Sequence, residues 1–338
     1  MTIAGDDVRY ARNGGNTLRL RVLKVAAVIV ASVLALGALA YAYFIYSPTI
    51  PPHLSGQASN LVVDVDGKPR SYVAYVPAQL PKGGPLLVVL HGTMMTGAMM
   101  RQWTGYEFDA LADKEQFAVV YPDGIGRSWN DCLRGGDAAK KQNADDVGFV
   151  RTLVSVSRDE FGSDVHRVFA LGYSNGGQMV SRILSDAPGL LAGAAIAGAN
   201  LPAPSNDICR APSKIPPMII TAGTKDPISP YAGGEVTIPL LGSRGSVLSA
   251  RATAARFGRL AGITTAPTAA RLPHREANDQ TSVTSLTWSR GGKPYIILYS
   301  VLNGGHVVPQ PSFRFPRLLG ATTLDLDIPL EANALFKL

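Results

Sequence analysis

The chain has 338 residues, 46% of them hydrophobic, and a formal net charge of +7, which leaves room for one large domain or two ordinary ones. The charge does not argue for nucleic acid: the first 24 residues hold five basic and two acidic side chains, leaving +4 on the remainder, which has no Lys/Arg-rich run. Much of the apolar excess sits in one place.

That place is Val25 to Tyr46, 22 consecutive residues without a charge. As a helix it would reach ~33 Å, enough to cross a ~30 Å hydrocarbon core. Nothing later repeats it. Arg9, Arg12, Arg19, Arg21 and Lys24 outweigh Asp6 and Asp7 ahead of the span, and a basic flank of this kind stays cytoplasmic, so the C-terminal body is expected in the periplasm or extracellular space, away from nucleic acid. Ala38 and Ala40 have the A-x-A spacing of a cleavage site, which would release the body. The long basic region and the belt Tyr41, Tyr43, Phe44 and Tyr46 favour an uncleaved membrane anchor. The organisation is therefore a cytoplasmic segment (1–24), a transmembrane anchor (25–46), a proline-containing linker (47–58) and one catalytic domain (59–338).

In the body, Leu61 to Val65 and Ser71 to Val76 alternate about Asp66-Gly67, a hairpin signal. Short continuous apolar runs follow at Leu86–Leu90, Phe117–Tyr121, Val168–Leu171, Ala194–Ala197, Met218–Ala222 and Tyr295–Val301, each suited to a strand buried on both faces. Helical patterns lie between them at Phe108–Lys114, Asp145–Phe161, Gly176–Ser185 and Val247–Leu260. Strands alternating with helices predict an α/β protein: a mainly parallel, doubly wound sheet preceded by an antiparallel hairpin. Leu201–Pro217 and Ile228–Gly245, rich in Pro and Gly without periodicity, are expected as loops over the C-terminal edge of the sheet, where such folds bind ligands.

Gly172-Tyr173-Ser174-Asn175-Gly176 follows one predicted strand and opens a helix, the setting of a nucleophile elbow. A serine hydroxyl needs a base, and the base an acid to fix its tautomer; in the α/β-hydrolase fold the order is Ser, Asp or Glu, His. His306, in the Gly-rich loop after the last strong strand, is the candidate base. His53, His166 and His274 are expected in solvent, and His91 in a buried structural role beside the oxyanion loop. Asp226 follows Met218–Ala222 by a short turn and is the candidate acid, 52 residues after Ser174 and 80 before His306. Its competitors are worse placed: Asp207 precedes that strand, Asp279 shares a polar loop with His274, and Asp325 and Asp327 follow His306. The backbone N–H groups of Asn175 and Thr93 are the expected oxyanion donors. Cys132 and Cys209 are the two cysteines of an exported domain, read as one disulfide, and no metal-ligand spacing is present.

These residues resemble the polyhydroxybutyrate depolymerase and feruloyl esterase group of α/β-hydrolases, the lineage of carbohydrate esterase family 1. The resemblance rests on pieces in one order: Arg70-Ser71-Tyr72 to Val76-Pro77, Leu87 to Gly92, Tyr121-Pro122-Asp123-Gly124 with Trp129-Asn130, Asp145 to Phe149, Gly172 to Gly177, Asp226 with Pro230-Tyr231 and Gly233-Gly234, and Gly304-Gly305-His306. It implies a serine esterase using neither metal nor organic cofactor, acting on hydroxyalkanoate oligomers or on acyl and feruloyl groups of polysaccharide. Where the family often has Gly-His-x-Trp-Pro, this chain has His306-Val307-Val308-Pro309, without the indole. Trp129 and Tyr231, after strand ends, are the aromatic residues expected to face substrate. Met94, Met95, Met99 and Met100 are expected as packing under the oxyanion loop rather than as an acyl pocket. The other readings are a serine peptidase of the prolyl oligopeptidase type, for which an accessory domain is missing, and a membrane-tethered scaffold of the same fold.

Overall fold

A computed structural model describes residues 8–275 and 280–338; Asp6, Asp7 and Asp279 lie outside them. The chain divides into two units. One contains α1 (Val8–Phe44), whose stretch Arg19–Phe44 is long and apolar enough to cross a membrane, with a mean hydropathy of 2.5 over an 18-residue window. The other, Pro48–Phe315 with Leu319–Leu338, is the body.

The body opens with β1 (Gln57–Val65) and β2 (Lys68–Val76), paired antiparallel with Val65 opposite Lys68. Asp66 and Gly67 both have positive φ, 51° and 76°, as a two-residue type I′ turn demands, and the Gly67 amide donates to Asp64 Oδ1 at 2.8 Å. Next come β3 (Leu86–Leu90), α2 (Gly97–Trp103), α3 (Glu107–Glu115), β4 (Ala118–Pro122), α4 (Ala138–Lys141), α5 (Asp146–Phe161), β5 (Val168–Tyr173), α6 (Asn175–Asp186), β6 (Gly193–Ala197) and β7 (Met218–Gly223). The chain continues through β8 (Gly234–Ile238), β9 (Gly242–Val247), α7 (Ala250–Leu260), β10 (Thr268–Arg271), β11 (Ser282–Arg290), β12 (Lys293–Leu302) and α8 (Ile328–Phe336).

Among the described residues the main sheet has the order β1-β2-β4-β3-β5-β6-β7-β12-β11-β10. Strands β4 to β12 in that order run parallel, and antiparallel pairs close both edges. Every residue of β3, β5, β6 and β7 is buried, as their unbroken apolar runs require of strands covered on both faces. The pleat sorts them: Leu86, Val88 and Leu90 pack with Phe149, Leu153, Met179, Ile183 and Phe257 of α5, α6 and α7, whereas Leu87 and Val89 pack with Met100, Phe108, Leu111, Ile328 and Phe336 of α2, α3 and α8. The result is the expected doubly wound sheet of the α/β-hydrolase type.

Several elements depart from the sequence expectation. The stretch 228–245, expected as loop, contains β8 and most of the antiparallel partner β9, a separate two-stranded sheet. Val247 closes β9, so α7 starts at Ala250 behind the cap Ser249, whose hydroxyl accepts the Ala252 amide. Strand β11 was hidden because Ser and Thr alternate with its buried Val283, Ser285 and Trp288. The linker ends sooner than expected, with β1 beginning at Gln57.

Candidate active site

The turn from β5 into α6 carries Ser174 at φ 54°, ψ −120°, a sparsely populated conformation for a residue with a Cβ. Only glycine fits around it. A Cβ on Gly172 would lie 2.2 Å from the Gly176 carbonyl oxygen, and one on Gly176 would lie 2.3 Å from that of Leu90. The G-x-S-x-G letters are thus a steric requirement of driving the helix back across β3 while Ser174 stays partly exposed.

Asp226 follows β7 and His306 follows β12, neighbouring strands of the sheet, which brings residues 80 apart together. His306 Nδ1 lies 2.7 Å from Asp226 Oδ2, with side chains only 3% and 2% exposed. Asp226 Oδ1 accepts the amides of Ile228 and Ser229, both at 2.8 Å. The His306 backbone is pinned on both sides, its N–H to Leu319 O at 2.6 Å and its carbonyl by the Tyr173 hydroxyl at 2.9 Å. Ser174, His306, Thr93 and Asn175 line one cleft, about 460 Å³ including its open mouth.

The remaining candidates sort by contact. His91 is fully buried, with Nδ1 2.7 Å from Gly92 O and Nε2 accepting the Gly124 amide at 2.9 Å; burial pushes its imidazole down to about 4, so it stays neutral. Trp129 reaches the cleft wall but is 1% exposed, its indole N–H donating to His91 O at 2.9 Å. Tyr231 is not brought to the cleft. The turn closed by the Gly233 amide on Pro230 O sends its ring back onto the core, and its hydroxyl pairs with Ser300 Oγ at 2.8 Å. Met95 and Met100 are buried and Met99 packs against the same cluster, while Met94 is exposed. His53, His166 and His274 are exposed; His274 pairs with Asp325 outside the cleft. Asp207 approaches Arg256, and Asp327 caps α8.

Cys132 and Cys209 are joined in a disulfide, Cα atoms 5.2 Å apart. They form, with Asp207, the grouping of metal-ligating atoms found among the described residues, and the bridge occupies both sulfurs.

What holds the wall has no signature in the sequence. Asn175 Oδ1 accepts the Trp129 amide at 2.7 Å, and its Nδ2 donates to Asp131 Oδ2 at 2.7 Å. Asp131 is buried, which raises its carboxyl above the ordinary range, and Lys140 offsets this from 2.9 Å. Arg70 donates to Asp146 at 2.7 Å and to Asp123 O at 3.2 Å, while Asp146 also accepts the Asn130 amide. The scattered pieces Arg70, Asp123, Asn130 and Asp146 are therefore joined in one hydrogen-bonded network. Arg244, Asp137 and Gln178 also line it, and no sequence signal marked them.

Residues 70–280 match the family described as Esterase PHB depolymerase. The chain belongs to that family. This esterase is 27% identical over 274 residues to NocK, a protein of Nocardia uniformis subsp. tsuyamanensis named as an esterase, covering 78% of each chain. Over 128 residues it is 31% identical to feruloyl esterase B of Thermothelomyces thermophilus, 37% of this chain and 42% of that enzyme. In fold it is similar to the acetyl xylan esterase of Aspergillus awamori, with a TM-score of 0.53 at 17% identity over 75% of this chain and 95% of that one. The protein is a carboxylic ester hydrolase with the α/β-hydrolase fold.

Proposed function

We propose that Ser174 is the nucleophile of a Ser174–His306–Asp226 triad that hydrolyses esters through an acyl-enzyme. The observation that carries this reading is the buried 2.7 Å contact between His306 and Asp226 at the cleft that Ser174 lines. His306 Nε2 takes the Ser174 Oγ proton as Oγ attacks the ester carbonyl carbon, and Asp226 stabilises the imidazolium. The oxyanion is held by the amides of Thr93 and Asn175, each worth about 3 kcal/mol in the transition state. As the tetrahedral species collapses, the C–O bond to the alcohol breaks and the imidazolium hands that oxygen its proton. Water, deprotonated by His306, then attacks the acyl-serine and releases the acid.

The substrates of this reading are polyhydroxyalkanoate-type oligomers or acyl and feruloyl esters of saccharides, the latter in line with relatives named for feruloyl and acetylxylan esters. Residues 25–46 anchor the enzyme, 1–24 stay cytoplasmic and 59–338 act in the periplasm or outside the cell. The disulfide supports that placement, since such bonds persist in oxidising compartments. Comparing short-chain p-nitrophenyl esters with peptide anilides tests the reading: ester turnover without anilide cleavage is expected, anilide cleavage would favour a peptidase, and a folded but inert protein would favour a scaffold.

A further inference from the structure

The cleft wall contains a pair of opposite charges with hydrogen-bonding capacity to spare. Asp137 comes from the segment ahead of α4 and Arg244 from β9, and Arg244 Nη2 donates to Asp137 Oδ1. Their side chains are 23% and 12% exposed, so both are largely shielded yet reachable. Of the five guanidinium N–H groups, Asp137 takes one and Leu241 O a second at 3.4 Å. Asp137 Oδ2 receives no donor among the described residues. The other carboxylate of the wall is spent, because Asp131 accepts Lys140 and the Leu133 amide on one oxygen and Asn175 on the other. Beside the pair, Gly135 presents no side chain, and a Cβ there would meet nothing within 4 Å.

A matched pair of this kind selects by charge. An incoming carboxylate would be repelled by Asp137 and an ammonium by Arg244. A neutral group that accepts from a guanidinium N–H and donates to a carboxylate oxygen suffers neither penalty, and two adjacent hydroxyls satisfy both partners at once. Bonds to charged groups in a shielded wall are stronger than neutral ones. Among the esters proposed above, adjacent hydroxyls belong to the saccharide alcohol and not to the hydroxyalkanoate.

We propose that Arg244 and Asp137 are the specificity-determining pair of this esterase and hold a vicinal diol on the alcohol portion of the substrate. The proposal rests on the reading of Ser174 as nucleophile in the same cleft. It is tested with the purified full-length protein by measuring kcat/KM for 1-monoacetylglycerol and for propyl acetate, which share acyl group and carbon chain and differ in the diol. Wild type is expected to favour the glycerol ester by about 10- to 100-fold, the range for losing hydrogen bonds to charged groups in a built site. In Asp137→Asn, which keeps the shape, and in Arg244→Met, that ratio should fall toward one. A wild-type ratio near one, or a ratio unchanged in both variants, would overturn the proposal and leave the pair as a fastener of β9. Failure of the underlying reading looks different: hydrolysis of both esters surviving in Ser174→Ala, or neither ester cleaved by wild type, removes the site itself.

Discussion

His306 Nδ1 and Asp226 Oδ2 stand 2.7 Å apart with almost no access to solvent, and the two amides on the other Asp226 oxygen keep the carboxylate from turning. In the proposed triad this contact fixes the ring's orientation, with Nδ1 toward the carboxylate and Nε2 left for the serine. Asp226→Asn retains size and packing but offers the wrong hydrogen-bonding group, so kcat on p-nitrophenyl acetate should fall about 10³- to 10⁴-fold with the circular dichroism spectrum unchanged. Near-normal turnover would show that Asp226 plays no part in orienting the base.

Stability should carry a signature of His91. Burial holds its imidazole down to about 4, whereas the unfolded chain takes up that proton near 6.5. Between these values the unfolded state binds more protons than the folded one, so acidification through this window destabilises the fold, by up to about 3 kcal/mol, with no further change from this group below the lower value. Glu107 and Asp109, raised by burial to about 7 and about 6, act in the opposite sense. The informative quantity is therefore the difference between wild type and His91→Gln in urea denaturation. That difference should shrink as pH falls from 6.5 to 4; a pH-independent offset would contradict the buried neutral imidazole.

The disulfide closes a span of 77 residues next to Asp131, which holds the Asn175 side chain. Replacing both cysteines by serine should cost about 4 kcal/mol by the chain-entropy argument. Because the Asn175 amide is a proposed oxyanion donor, kcat should also drop when the wall loosens. Asn175→Ala should lower kcat in the same way while leaving the disulfide intact, since it orphans the buried Trp129 amide. Unaltered kcat in both variants would separate the wall from the chemistry.

What could be read in advance follows the physics. Unbroken runs such as Leu86–Leu90 and Met218–Gly223 announce two-sided burial, and the glycines about Ser174 announce a close backbone approach, so sheet and elbow were legible. Asp226 and His306 could be ordered by their places after strands. Strand β11 was not legible because its buried face includes a serine, and β8–β9 because turn glycines break its short strands. The direction of Tyr231 was not legible, because a side chain after a strand end can turn either way, and its hydrogen bond to Ser300 comes from a strand far along the chain. The Asn175–Asp131–Lys140 network depends on contacts between loops, which no local spacing encodes.

The anchor is tested by fractionation. Full-length protein should sediment with membranes and resist carbonate extraction, whereas a chain starting near residue 50 should stay in the aqueous phase of a Triton X-114 partition and keep its ester turnover. A soluble, shortened product from expression of the full-length chain would instead mean that the apolar segment is cleaved.

The proposed triad makes Ser174 an activated nucleophile. Labelling the folded protein with a fluorophosphonate probe, followed by peptide mapping, measures this most directly. The adduct is expected on Ser174 alone, absent from Ser174→Ala and strongly slowed in His306→Ala; a folded protein that takes no label, or takes it on another residue, would show that Ser174 is not the activated nucleophile.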